Sequence, residues 1–355
     1  MANGNDPFSK SIKQENPTVP PPPRPRETPT ATPPPLRATN LAAVDKNQSL
    51  LNSLRSTSLT PQETETCLGS LANVMTSSED SDDALFQEVI SKLNGSELQR
   101  MAALLTSYND RYFLEIARNK NGSIRLQKLL GKSDDADVFF AASILRHFRH
   151  VMTEEHACHV GTQGMRVVTS FQKRREMRDQ ILHHAVHLAC DRYGSVALDA
   201  IILDVAFLDF STALLDVVAS NALLLSKDAY GSLVVRHVIK HFGLHSTRNI
   251  GVSLRGHYVE LSFTEGGRCI VERLLEKDRE TEELVMEELL ECEGEELVRL
   301  ARSVHGHSVV ETALKVTRVD LRRGLVNKLK PFLPLFRKSH HAHTIVEIME
   351  SFVTN

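Results

Sequence analysis

The chain has 355 residues, 41% apolar and 25% charged, enough to bury the core of one large domain or two ordinary ones. Its 42 basic and 45 acidic side chains give a formal net charge of −3, which excludes a histone-like protein that holds nucleic acid by bulk charge alone. The five cysteines (Cys67, Cys158, Cys190, Cys269, Cys292) are odd in number and form no CxxC pair, which points to reduced thiols and not to a disulfide framework or a cysteine zinc site.

Eleven of the fourteen prolines fall within the first 35 residues. Residues 1–60 are accordingly read as a disordered, proline-rich leader, with local polyproline II around Val19–Arg26. The opening MANGNDPFSK lacks the basic-then-apolar pattern of a secretory signal. Residues 61–109 are expected to form a helical N-terminal capping segment. In it Thr60, Pro61 and Glu63 supply an N-cap, a first-turn proline and a capping glutamate in order. Residues 76–83 read as an acidic linker, a helix is predicted over about 83–93, and Ser96 with Gln99 opens another as a capping box. The most apolar stretch, Val196–Leu225, is broken by Asp199, Asp204, Asp209 and Asp216 and cannot span a membrane.

From about residue 110 the chain repeats itself, and a period of this length marks a stacked architecture. Seven short blocks align on Gly122, Gly164, Gly194, Gly231, Gly267, Gly306 and, in the last, Ala342. The spacings are 42, 30, 37, 36, 39 and 36 residues, and the irregular first two sum to 72, which is two periods. The second unit is therefore locally shifted or carries an insertion. Three residues before each mark stand Asn119, Gly161, Asp191, Asp228, Thr264, Ser303 and Ser339, all N-cap formers. Six before it stands an apolar residue that ends a preceding helix. Apolar positions at +3, +4 and +7, such as Val234, Val235 and Val238, make one buried stripe. Units of this kind bury a continuous core only by stacking, so residues 110–355 are expected to form an all-α solenoid.

Positions +1, +2 and +5 from the mark lie off the stripe, with +1 and +5 neighbours on one helix face. Two polar side chains there can hydrogen-bond a base edge while the third stacks on a base, giving one nucleotide per repeat. The period, the Gly-x-x-Val-Val block form and segments such as Asp228–Val235 resemble the Pumilio (PUF) repeat family. Leu98–Gly131 and Leu182–Leu198 resemble its divergent plant branch, and the likeness extends over about residues 85–355. The resemblance implies a right-handed α-solenoid, a crescent of about seven to eight three-helix repeats. It implies a monomer that binds single-stranded RNA in mRNA 3′ untranslated regions and regulates translation and stability, with protein co-repressors as further partners. Cytoplasm is the expected compartment, with the nucleus open. The base-reading residues it implies are Ser123, Ile124 and Gln127, then Met165, Arg166 and Thr169, then Ser195, Val196 and Asp199. They continue as Ser232, Leu233 and Arg236, as Arg268, Cys269 and Glu272, as His307, Ser308 and Glu311, and as His343, Thr344 and Glu347. In the family a Ser–Gln pair reads adenine, and Ser123 with Gln127 fits that pattern; Arg166 is of a usual stacking type.

Other chemistries are weaker. His183, His184 and His187 with Cys190 form an HHxxHxxC string compatible with zinc on a helix. The same residues also read as the polar face of a repeat's first helix, as do His340, His341 and His343, and neither a metal nor any other cofactor is assigned. The acidic stretch Glu282–Glu296 reads as a solvated helix face and its loop. No phosphate-cradling glycine loop, GxSxG elbow or HExxH motif is present, so no catalytic residue is named. Residues 111–355 carry 33 basic and 32 acidic side chains, and Glu272, Glu311 and Glu347 put carboxylates on the candidate RNA surface. A second expectation follows from that balance: a diverged helical-repeat scaffold whose main ligand is a protein.

Overall fold

Seven helical units follow one another in the computed structural model, which describes residues 48–56, 58–204 and 208–353. They are preceded by a cap of three helices, α1 (residues 48–55), α2 (Pro61–Thr76) and α3 (Asp80–Lys92). α1 lies inside the stretch read as leader, and Leu50, Leu51 and Leu54 bury it in the same core as α2. A helix this short is marginal alone, and burying three leucines at roughly 2 kcal/mol each is what holds it. The proline-rich residues 1–47 lie outside the described residues. Thr60 and Glu63 form the expected reciprocal cap on α2, with the Thr60 N–H donating to the Glu63 carboxylate at 2.8 Å. The next capping box falls two residues earlier than Ser96 and Gln99: the Asn94 side chain accepts from the Glu97 N–H at 3.0 Å, and Glu97 accepts from the Asn94 N–H at 2.9 Å. The acidic linker is also shorter than expected, because Asp80, Asp82 and Asp83 fill the first turn of α3, where the helix dipole favours them.

The units are built as follows. The first holds α4 (Gly95–Leu105), α5 (Arg111–Arg118) and α6 (Lys120–Leu129), and the second α7 (Asp134–Arg146), α8 (Phe148–Met152) and α9 (Ala157–Val167). In the third, the first two helices run on as the single 19-residue α10 (Phe171–Ala189), followed by α11 (Arg192–Leu203). Next come α12 (Leu208–Ser220), α13 (Ala222–Lys227) and α14 (Gly231–His241), then α15 (Leu244–Leu254), α16 (Tyr258–Leu261) and α17 (Glu265–Lys277). The last two units are α18 (Arg279–Glu291), α19 (Gly294–Arg302) and α20 (Gly306–Val316), and α21 (Val319–Leu329), α22 (Leu333–Phe336) and α23 (His343–Val353). The last helices of the units pack in series from α6 to α23, and the first helices form a second series from α4 to α21. No strand occurs among the described residues. Two ladders joined by neighbour-to-neighbour packing define an α-solenoid. The predicted stripes line its core: Val234, Val235 and Val238, Ile270, Val271 and Leu274, and Val309, Val310 and Ala313 are all buried.

The recurring glycine has a steric cause. A Cβ on Gly122, Gly194, Gly231 or Gly267 would stand between 2.2 and 2.7 Å from the carbonyl oxygen of Ile116, Leu188, Leu225 or Leu261, six residues earlier. The predicted N-caps close the same joint, with Asp191 and Asp228 each accepting from the glycine N–H at 2.8 Å.

This joint corrects the register of the second unit. Elsewhere the N–H one past the mark donates to the carbonyl three before it, as Ser195 does to Asp191 and Ser232 to Asp228. The side chain at that place donates to the carbonyl two before the mark, Ser195 to Arg192 and Ser232 to Ala229, both at 3.0 Å. Cys158 makes the same two bonds, from its N–H to Glu154 at 3.1 Å and from Sγ to Glu155 at 3.5 Å. The mark is therefore Ala157, and the spacings from Gly122 to Ala157 to Gly194 are 35 and 37 residues. Gly164 instead lies deep in α9, where an added Cβ would meet Ile144, and Gly161, taken for an N-cap, lies inside the same helix. Phe171, expected in the buried stripe, is 79% exposed at the start of α10.

Two glycines test this geometry from opposite sides. Gly231→Ala is expected to destabilise the protein by about 1–3 kcal/mol through the backbone clash. Gly69→Ala, within α2 and with nothing inside 4 Å, is expected to stabilise it by up to about 1 kcal/mol. Urea midpoints of the two variants, moving in opposite directions, check both.

Candidate nucleic-acid interface

The +1, +2 and +5 positions lie on the ladder of last helices, but their environments differ. At +1, Ser123, Ser195 and Ser232 are buried, and each hydroxyl is engaged by the main chain. Ser123 donates to the carbonyl of His156 in the next unit at 2.7 Å, so it also joins two units. Gln127 turns its amide nitrogen back to the Ser123 Oγ at 3.1 Å. Ser308, at +2 of the sixth unit, is bonded like the +1 serines, to the His305 carbonyl at 2.8 Å.

The +2 positions of the first four units are the accessible row. Ile124, Val196 and Leu233 are 46%, 51% and 42% exposed, presenting aliphatic faces where an aromatic or cationic stacker was the family expectation. The corrected second unit contributes Cys158, His159 and Thr162 in place of Met165, Arg166 and Thr169. Met165 is a core residue because it sits on the buried side of α9, Arg166 pairs with Asp204, and Thr169 follows the end of the helix. His159 is exposed between Ile124 and Val196 in unit order, whereas Cys158 and Thr162 are buried. Burial pushes the Cys158 thiol up to about 11, which keeps it protonated at neutral pH. The sequence signal for this unit was hidden because Ala157 replaces the expected glycine while two glycines follow within the helix.

At +5, the carboxylates of the last three units are met by basic side chains of their own helices. Arg268 lies 3.3 Å from Glu272 and also reaches the Ser308 Oγ at 3.5 Å, Lys315 pairs with Glu311, and His343 lies 3.4 Å from Glu347. His307, at +1, holds its Nδ1 3.0 Å from the Ser303 carbonyl. Cys269 and Thr344 are half-buried beside these pairs, and Arg236 is half-buried at +5 of the fourth unit. Asp199 is different: its Oδ2 lies 3.5 Å from His237 Nδ1, while its Oδ1 is buried with no hydrogen-bond partner. Burial pushes the Asp199 carboxyl up to about 7. His237 is held below its ordinary range, first by burial and then by the charges of His241 and Lys240.

The histidine string does not converge on one point. His183 and His184 meet edge to face with centroids 4.7 Å apart, and His187 accepts from Arg149 Nε at 2.8 Å. Among the described residues no group of three or more His, Cys, Asp or Glu side chains is placed to hold a metal ion, and no helix is long and apolar enough to cross a membrane.

Stacked three-helix units that present one ladder of short side chains define a helical-repeat binding scaffold. The Pumilio-family RNA binding repeat matches residues 112–140, 184–198 and 221–250. Pumilio homologs 20 and 18 of Arabidopsis thaliana are 46% and 44% identical over 345 and 320 residues, covering 96% and 89% of this chain and 96% of each relative. The chain belongs to the Pumilio (PUF) family. Among solved structures, the Puf4 RNA binding domain bound to the HO endonuclease RNA 3′ UTR recognition sequence aligns with a TM-score of 0.67 at 19% identity, over 87% of this chain and 95% of that one. The RNA-binding domain of yeast Puf5p bound to MFA2 RNA aligns with a TM-score of 0.61 at 13% identity, over 89% and 96%.

The raised Asp199 value fixes the sign of a pH effect. An exposed aspartate ionises near 3.9, so keeping Asp199 in its folded site opposes ionisation, and stability is lost as pH rises through the window up to about 7. Asp199→Asn is therefore expected to raise Tm by several degrees at about pH 8.5, with the gain shrinking toward about pH 4. Thermal melts of both proteins across that range check it; a constant difference would refute the assignment.

Proposed function

We propose that the ladder of last helices binds single-stranded RNA in mRNA 3′ untranslated regions, and that the protein thereby regulates translation and message stability. The observation that carries this reading is the row of exposed +2 side chains, one per unit, running Ile124, His159, Val196 and Leu233 along successive last helices. Such a row presents a stacking face at each step of a strand, and membership in the Pumilio family supports the same ligand. Gln127 and Arg236 offer hydrogen-bond donors beside the row. Glu272 and Glu311 act through the donors they orient more than through free charge, since each already faces a cation of its own helix, and Glu347 lies beside His343. In this reading the protein is a cytoplasmic, monomeric binding scaffold without catalysis, and co-repressors act through the assembled complex.

One observation favours a second reading. The +1 serines are buried and already bonded, and three +2 positions are aliphatic, a pattern equally suited to a protein ligand. A random-RNA selection with the full chain at about 150 mM salt separates the two. RNA binding predicts an enriched motif of roughly six to eight nucleotides, one per unit. His159→Ala is then expected to weaken binding about tenfold, as loss of one stacked base does, while Arg166→Ala changes it less than about twofold. Weak, salt-sensitive binding without an enriched motif would assign the surface to a protein partner.

A further inference from the structure

A cavity of about 500 Å³ lies between the second and third units, lined by no residue of a last helix. Its polar lining is Arg146 of α7, Arg149 and His150 of α8, Thr153 of the turn that follows, and Gln180 and His184 of α10. No aspartate or glutamate lines it. The two arginines differ in how their charge is met. Arg146 is held by the buried carboxylate of Asp110, to which its Nε and Nη2 donate at 2.8 and 2.7 Å, and His147 Nε2 lies 3.0 Å from Asp110 Oδ2. The chain reaches Asp110 through three successive left-handed residues, Tyr108, Asn109 and Asp110 itself, with φ of 50°, 55° and 60°. Such a run is unfavourable and persists only where its surroundings fix it, as Arg146 and His147 do here. Arg149, by contrast, has no acidic partner among the described residues. Its Nε donates to His187 Nε2 at 2.8 Å, and a ring nitrogen that accepts is unprotonated, so a neutral group meets this cation.

The cavity therefore carries a surplus of positive charge. His184 is held below its ordinary range, first by burial and then by the charges of His183, His187 and Arg149, so cations gather here against their own repulsion. An anion acts in the opposite sense. Donors are in surplus as well: the Gln180 amide, Arg146 Nη1 and both terminal nitrogens of Arg149 make no hydrogen bond among the described residues. A carboxylate ligand brings two oxygens and a single charge, whereas a phosphate monoester brings three oxygens and up to two charges, a better match to two guanidinium groups and an amide. We propose that this cavity binds a phosphate monoester, with Arg149 as its principal cation and Arg146 and Gln180 as further donors. Two sources carry that group, a phosphorylated serine or threonine of a protein and a small phosphate-bearing molecule, and the experiment separates them. The site lies off the ladder of last helices, and the inference stands whether or not that ladder binds RNA.

Histidine ring signals of the full chain, followed by NMR at about pH 7 and constant ionic strength, test it. Inorganic phosphate is expected to shift the His150 and His184 signals saturably, with a Kd on the order of 1 mM, while the signal of His257 in the fifth unit stays in place. Arg149→Ala should weaken phosphate at least about fivefold, and Arg149→Lys, which keeps the charge and loses the fork, should weaken it less. An unchanged His257 signal in both variants checks that they fold. A short phosphoserine peptide that binds at least about tenfold tighter than inorganic phosphate, while its unphosphorylated form does not bind, assigns the ester to a protein; binding no tighter than phosphate assigns it to a small molecule. A single-stranded RNA with a 5′-hydroxyl end, whose phosphates are all diesters, should leave both rings in place. The site is refuted if phosphate shifts neither ring up to about 10 mM, if sodium chloride at the same ionic strength reproduces the shifts, or if Arg149→Ala binds phosphate as the parent does. It is refuted equally if that RNA shifts the rings as phosphate does, since the cavity then belongs to the path of a nucleic-acid strand.

Discussion

Everything on the binding ladder depends on how closely the start of each last helix approaches the carbonyl six residues before it. At Gly122, Gly194, Gly231 and Gly267 that carbonyl occupies the space a Cβ would need, and the N-cap side chain three residues before the mark accepts from the glycine N–H. Together these fix the angle at which the last helix leaves the joint. Once the angle is set, the residues at +3, +4 and +7 face the core in every unit, and those at +2 face out in the first four. Seven units with few letters in common therefore present their side chains in one pattern. The second unit shows that the hydrogen bonds, more than the glycine itself, define the joint: Cys158 makes them with an alanine at the mark.

The ladder divides by chemistry along its length. The first four units offer neutral or aliphatic outward residues beside Gln127 and Arg236, with a groove that begins at Asp199 and ends on the fifth unit's helix. The fifth and sixth carry glutamates paired with Arg268 and Lys315 within single helices, and the seventh sets Glu347 beside His343. Pairs of this kind at the surface contribute little to stability, yet they cancel the repulsion that a lone carboxylate would impose on a phosphate backbone. A net charge near zero over the repeat region is thus compatible with a polyanionic ligand, because the charges that matter are arranged locally.

Much of this was legible in the letters. Six of the seven marks, the N-caps from Asn119 to Ser303 and the stripes of valine and isoleucine follow from spacing alone, because they express one backbone constraint repeated. The i,i+4 pairs of the late units were also readable in principle, since both partners share a helix face. What escaped has definite causes. Gly161 and Gly164 imitated a cap and a mark, whereas the N-cap is His156 and the mark Ala157, because glycine in a helix interior looks the same on paper as glycine at a joint. Leu50, Leu51 and Leu54 were masked by the composition of the prolines before them, and their helix exists only through burial against α2. Asn94 outcompeted Ser96 as a cap because Glu97 completes its box. The burial of Ser123 and the isolation of Asp199 depend on the neighbouring unit and cannot be seen within one repeat.

The fused helix α10 gives the solenoid an uneven mechanical character. In most other units the first and second helices meet at a joint, a place where a small rotation changes the pitch of the stack. The third unit has no such joint: α10 runs unbroken for 19 residues and packs on α7, α8, α11, α12 and α14, spanning from the second unit to the fourth. It acts as a splint. A stack that adapts to the length of what lies along it must take up the strain on either side of this rigid middle, so the solenoid flexes as two arms about a stiff centre.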